Sequence, residues 1–209
     1  MVDLRLHTHG LLRYCGRMSS SVAPKPYMTY ADFVAFEAAS DTRHEWLDGI
    51  IYDMSGGTIT HAGLKVAVSG ELRNLLLGKR CRVFDADLAV RVLATGLFTY
   101  PDASVVCTKP EMDPENKNAL TNPRVLVEVL SDSTESYDRG QKFAHYQRIP
   151  SLKEYVLVSQ HEPCIEVYRQ TSPGKWEMVE KASAGQTAHL VSLECELDVD
   201  RVYYDPLAA

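Results

Sequence analysis

Val125-Leu126-Val127-Glu128-Val129-Leu130 is a short unbroken apolar run with a single carboxylate inside it. A run of this length and β-branched character reads as a strand covered on both faces, of the kind found at the centre of a sheet packed by helices. The two-residue period puts Leu126 and Leu130 on the same face as Glu128. An unpaired carboxylate in such surroundings is costly, so Glu128 is expected to be protonated, paired or bound to a metal. Ser131, Asp132 and Ser133 follow at once. They place Glu128 near the carboxyl end of the strand, where open sheets tend to build sites. The plainer reading, a glutamate at the sheet rim, stays open from this segment alone.

Outward from this strand, the pattern alternates between helical and extended spacing. Thr29 is a candidate N-cap for a helix over residues 30–39, and residues 45–54 read as two short strands around Asp48-Gly49 or one strand with a bulge. Leu64, Val68, Leu72, Leu75 and Leu76 predict a helix over 61–77, stopped by Gly78. Residues 82–92 and 100–107 read as strands, and 109–122 as a polar loop. Residues 137–148 form a helix ended by Pro150, and further strands are expected at 154–158, 164–169 and 176–179. This order predicts an α/β or α+β fold, a central mixed sheet flanked by helices.

The chain has 209 residues, enough to bury one substantial core, and 22 basic against 28 acidic side chains give a net charge of −6. That balance argues against a DNA coat that binds by phosphate neutralisation alone, but not against an enzyme carrying its positive charge as a bound metal. Residues 1–27, rich in serine and arginine and without periodicity, read as a poorly ordered tail, with Met18 and Met28 as candidate starts. Residues 28–209 read as one domain. No apolar run is long enough for a membrane helix, and no signal peptide is evident, so the expectation is a cytoplasmic protein without membrane contact. The five cysteines are scattered, with no C-x-x-C pair, and are expected to be reduced thiols rather than zinc ligands.

Asp102 opens the run Ala103-Ser104-Val105-Val106, after Pro101. On a strand beside that of Glu128, it would bring two carboxylates within about 5 Å, a pair that a hard divalent cation would reconcile. Lys142 falls on the following helix, with Asp138 and Tyr146 at four-residue spacing. An ordinary Asp138–Lys142 surface pair is the plain alternative to an ammonium aimed at the site. Glu45 begins the first strand. His44 and His61 lack metal-ligand spacing and read as structural or substrate-contacting. Lys65, Arg73, Lys79, Arg80 and Arg82 form a basic strip that could track a DNA strand or simply be solvated.

In this order, His44-Glu45-Trp46-Leu47-Asp48-Gly49, Tyr100-Pro101-Asp102-Ala103-Ser104-Val105-Val106, Val127-Glu128-Val129-Leu130-Ser131, Asp138-Arg139-Gly140-Gln141-Lys142 and Glu154-Tyr155-Val156-Leu157-Val158 resemble the restriction-endonuclease family called Uma two, within the PD-(D/E)XK nuclease superfamily. The superfamily's lysine stands two residues after the second acid, where this chain has Leu130; the resembling family takes it from the next helix, which Lys142 matches. Asp132 and Ser159 depart from the family pattern, outside the catalytic set. The resemblance implies a restriction-endonuclease-like fold. It also implies Mg²⁺ (or Mn²⁺) held by Asp102, Glu128 and the backbone carbonyl of Val129, with Glu45, the first acid of the site, binding a second metal or ordering water, and Lys142 as the catalytic amine. DNA would be the substrate and a homodimer the assembly. The expectation is a Mg²⁺-dependent endodeoxyribonuclease. The rival is an inert nuclease-fold module that binds nucleic acid or assembles with proteins. Carboxylate-pair chemistry on a sugar is disfavoured, because it leaves Lys142 without a role.

Overall fold

A computed structural model describes residues 27–54 and 56–207. The expected tail therefore lies outside the described residues, except for Tyr27. The central sheet has six strands, in the order β11 (Lys175–Ser183), β10 (Cys164–Ser172), β9 (Glu154–Val158), β8 (Val125–Val129), β6 (Ala103–Val106) and β3 (Arg82–Asp85). β8 and β9 run parallel and the other pairs are antiparallel, so the sheet is mixed as expected. β8 is buried along its whole length, which is what its continuous apolar run implied.

The odd-numbered residues Val125, Val127 and Val129 pack with Leu64, Val68, Leu72 and Leu76 of helix α2 (Ile59–Leu75) and its end. Leu126 and Leu130 face the opposite core, with Phe143, Tyr146, Ile149 and Tyr155. Thr58 caps α2 by accepting the His61 N–H, so the helix starts two residues before the position read from spacing alone. That first turn points His61 and Lys65, four residues apart, toward the end of the sheet.

A second sheet has the order β2 (Ile50–Asp53), β1 (His44–Leu47), β5 (Phe98–Thr99), β4 (Ala89–Arg91) and β7 (Ala119–Leu120). Asp48 and Gly49 both take positive φ, 48° and 82°, making β1–β2 a tight hairpin and settling the choice left open between two strands and a bulged one. Helix α1 (Tyr30–Ala39) packs Phe33 against Trp46 and Phe98 of this sheet.

Two expected strands divide. Residues 82–92 form β3 and β4 in different sheets, because the Asp85 side chain accepts the Asp87 N–H and its carbonyl accepts that of Leu88, turning the chain. The 100–107 strand is only β6, with β5 a separate piece before Tyr100. The 109–122 segment, read as a loop, contributes β7, parallel to β4. The hairpin β12 (Thr187–Leu190) and β13 (Cys195–Asp198), with α5 (Val199–Val202), closes the chain against α2 and was not read from the sequence.

The reduced-thiol expectation is corrected for two cysteines: Cys81 and Cys107 form a disulfide. The β3–β6 register pairs Arg82 with Val106, and the next step outward brings the two sulfurs together across the strands. Cys164 and Cys195 are free, and Cys15 lies outside the described residues. Among the described residues no helix is long and apolar enough to cross a membrane.

Candidate active site

The β6–β8 register pairs Ala103 with Val127, and its continuation carries Asp102 level with Glu128 at the sheet's end. Asp102 accepts the Val129 N–H at 2.7 Å, which fixes its carboxylate against the last residue of β8. From the α2 side, Lys65 Nζ lies 2.9 Å and His61 Nε2 3.4 Å from the same carboxylate. From the opposite side, Lys142 Nζ lies 2.9 Å from Glu128, 3.3 Å from Glu45 and 3.5 Å from Asp138. Tyr146 donates to Glu128 at 2.8 Å, and Glu45 accepts from Thr99 and from Tyr137. Glu128 and Lys142 are 3% and 5% exposed. All four proposed catalytic side chains line one cavity of about 520 Å³.

Lys142 reaches this point through an irregular helix. After Glu135–Tyr137 (α3) the segment Asp138–Lys142 widens to a π-helical turn before Phe143–Tyr146 (α4) resumes. Such turns leave carbonyls without regular partners and recur at functional sites. Here the hydroxyl of buried Tyr155 donates to the Asp138 carbonyl at 3.0 Å. Asp138 and Lys142 both point inward and are buried, so the pair weighed as a surface ion pair is instead an interior one.

The electrostatics follow from this crowding. Burial pushes the Glu128 carboxyl up to about 8; Lys142 opposes the shift, while Asp138 and Asp102 add to it. Asp138 is raised chiefly by burial, against the pull of Lys142 and a hydrogen bond with Thr134. Burial works against the Lys142 charge, but Glu128, Glu45 and Asp138 outweigh it and hold the ammonium well above its ordinary range. Burial also pushes Asp102 upward, yet the His61 hydrogen bond, Lys65 and the Val129 N–H prevail and keep it below the usual carboxylate range. One ammonium thus serves three carboxylates in a buried setting that favours their protonated forms.

A divalent cation suits that imbalance. The donors are all oxygen, the carboxylates of Asp102 and Glu128 and the Val129 carbonyl, which is a hard-ion set. Among the described residues no group of three or more His, Cys, Asp or Glu side chains is placed to hold a metal ion by itself.

The remaining sequence candidates separate. Lys65, read as part of a DNA-binding strip, is engaged with Asp102. Arg73, Lys79, Arg80 and Arg82 lie toward or beyond the opposite end of α2; Lys79 donates to the Leu193 and Glu194 carbonyls, and Arg82 lies over the Phe84 ring at 5.1 Å. His44 is held by Glu37 at 2.8 Å, away from the cavity lining, whereas His61 is part of it. Tyr137, Asp138 and Tyr146 were not read as site residues. The four-residue spacing of Asp138, Lys142 and Tyr146 is the signal in the sequence, and burial of all three gives it its meaning.

Residues 30–200 match the family model described as "Uma2: Putative restriction endonuclease". The chain belongs to the Uma2 family. An uncharacterized Synechocystis protein, slr1290, is 35% identical over 187 residues, covering 88% of this chain and 95% of its own. A second from the same organism, sll1609, is 28% identical over 159 residues, covering 76% and 90%. The crystal structure of a putative nuclease belonging to DUF820 from Anabaena variabilis superposes with a TM-score of 0.63 at 15% identity, over 78% of this chain and 91% of that one. At that identity the likeness establishes the fold: the Uma2 chain is restriction-endonuclease-like, a mixed sheet with helices on its faces.

Proposed function

We propose that this chain is a Mg²⁺-dependent endonuclease that hydrolyses DNA phosphodiester bonds, Mn²⁺ serving as an alternative ion. The observation that carries the reading is the Lys142 ammonium, 2.9 Å from Glu128 and 3.3 Å from Glu45, buried at a cavity that also holds Asp102. Asp102, Glu128 and the Val129 carbonyl would hold the cation, which when bound lowers the pKa of water and polarises a phosphoryl oxygen. Lys142 supplies fixed positive charge where the scissile phosphate gains negative charge, Asp138 helps hold it, and Tyr146 anchors Glu128. Glu45, restrained by Thr99 and Tyr137, can accept a hydrogen bond from the attacking water. In the net reaction water adds to phosphorus, the bond to one sugar oxygen breaks, and that oxygen leaves protonated. A homodimer would supply two such sites for a two-strand cut, and sedimentation equilibrium tests that part.

The alternative, an inert nuclease-fold module, draws on one observation: Asp102 and Glu128 already hold lysine partners, which occupy oxygens a cation would need. Calorimetric titration with Mg²⁺ and Mn²⁺ separates the two. The nuclease reading expects binding in the wild type, its loss in Asp102→Ala, and loss of plasmid cleavage by at least about a hundredfold in Asp102→Ala and Lys142→Ala with the melting transition retained. No cation binding and no cleavage by the wild type favour the inert module, and cleavage undiminished in the variants overturns the assignment of Asp102 and Lys142.

A further inference from the structure

The walls of the cavity point to the form in which its substrate arrives. We propose that DNA enters this site as a single strand, with an unpaired base stacked on Tyr52; this rests on the nuclease reading above. Tyr52 pairs directly with Glu45 in the β1–β2 register, so its ring stands beside that acid on the same sheet face. It lines the cavity and is 47% exposed. β2 is the outermost strand of its sheet, and the two-residue period places Ile50 and Met54 in the same row, 43% and 37% exposed. An apolar row centred on the Tyr52 ring thus runs along a sheet edge and passes Glu45 at its middle.

Charge argues in the same direction. A protein that grips duplex DNA does so largely by neutralising many phosphates. Lys65 and Lys142 are the Lys and Arg side chains lining the cavity among the described residues, and both are paired with acids. The other members of the basic strip sit toward the far end of α2. Single strands depend less steeply on charge than duplexes do, and stacking on an aromatic side chain adds affinity for any base. Depth is the third argument. Glu128, Asp138 and Lys142 are nearly inaccessible, and the space above them has the volume of a small-ligand pocket. A flexible single strand can bend to lower one phosphate into such a recess, whereas a stiff duplex holds its phosphates on a fixed helical path.

The test is fluorescence anisotropy of the intact protein with a fluorescein-labelled oligodeoxynucleotide, single-stranded or annealed to its complement, with Ca²⁺ replacing Mg²⁺ to suppress cutting. The single strand is expected to bind at least about tenfold more tightly. Tyr52→Ala should weaken it by at least about fivefold, the lower range for one lost stacking contact. Tyr52→Phe, which keeps the ring, should recover most of the affinity, and Tyr204→Ala, which removes an exposed ring outside the cavity lining, should leave it unchanged. Duplex binding as tight as single-strand binding, no binding of either form, or wild-type affinity in Tyr52→Ala overturns the proposal. Parallel Mg²⁺ assays keep the two readings distinguishable. Duplex-only cleavage that Asp102→Ala abolishes leaves the nuclease and sinks the strand entry, whereas single-strand binding without cleavage of any DNA sinks the nuclease reading.

Discussion

Glu128 is the residue on which proton, amine and cation compete. Its folded-state pKa of about 8 lies above the ordinary 4.5, so between those values the folded protein binds a proton that the unfolded chain releases. Stability from this group is therefore complete below about pH 4.5 and is lost as pH rises toward 8. Urea unfolding at a series of pH values, without divalent cation, should show the unfolding free energy falling through that window by a few kcal/mol. Glu128→Gln, neutral throughout, should flatten the slope, and an unchanged slope in that variant would remove Glu128 as its source. Glu128 attracted notice in the sequence because its charge conflicts with its neighbours, and Asp102 because a second acid begins a strand predicted to lie alongside. Asp138 and Tyr137 carry no such conflict. They resemble any polar residues on a helix, and only the packing around Glu45 shows Asp138 to be interior and Tyr137 to be half-buried against that acid.

Among the elements, the long periodic ones were the most legible: α2, β8 and β9 lie close to where hydrophobic spacing put them, because each buries a regular face. The short strands β5 and β7 were not, having only two residues each and owing their conformation to partners distant in sequence. The Cys81–Cys107 bridge was equally hidden, since only the β3–β6 register brings together cysteines 26 positions apart. A crosslink closing a loop of that length typically contributes roughly 3 kcal/mol, in large part by restricting the unfolded chain. Dithiothreitol should therefore lower the melting temperature of the wild type, while the Cys81→Ser/Cys107→Ser double variant melts at the lower temperature with or without reductant. Insensitivity of the wild type to reductant would show that the bridge contributes nothing to the fold.

For the molecule as a whole, the site concentrates carboxylates inside a chain that is already net negative, −6. Folding has to hold those charges together, and a cation that binds only the folded state should repay part of that cost. At a hundred times its dissociation constant, Mg²⁺ should stabilise the fold by about 2.7 kcal/mol, or about 5–10 °C in melting temperature for a chain of this size. Differential scanning calorimetry should find the shift in the wild type and not in Glu128→Gln; the same shift in both would place the ion elsewhere. The global architecture was readable as a mixed sheet with helices because the order of elements allows few other arrangements. The split between the two larger sheets was not, because the turn at Asp85–Leu88 is a local hydrogen-bonding event inside what otherwise reads as one strand.

Leu130, just past the end of β8, occupies the buried position two residues after Glu128, and the amine comes instead from the neighbouring helix. The acids and the amine are therefore mounted on separate bodies, joined by the short connection through Ser131–Thr134. A modest roll of the helix about its own axis would withdraw the ammonium while leaving the strand carboxylates in register, a freedom denied to any arrangement in which all three groups hang from the same sheet.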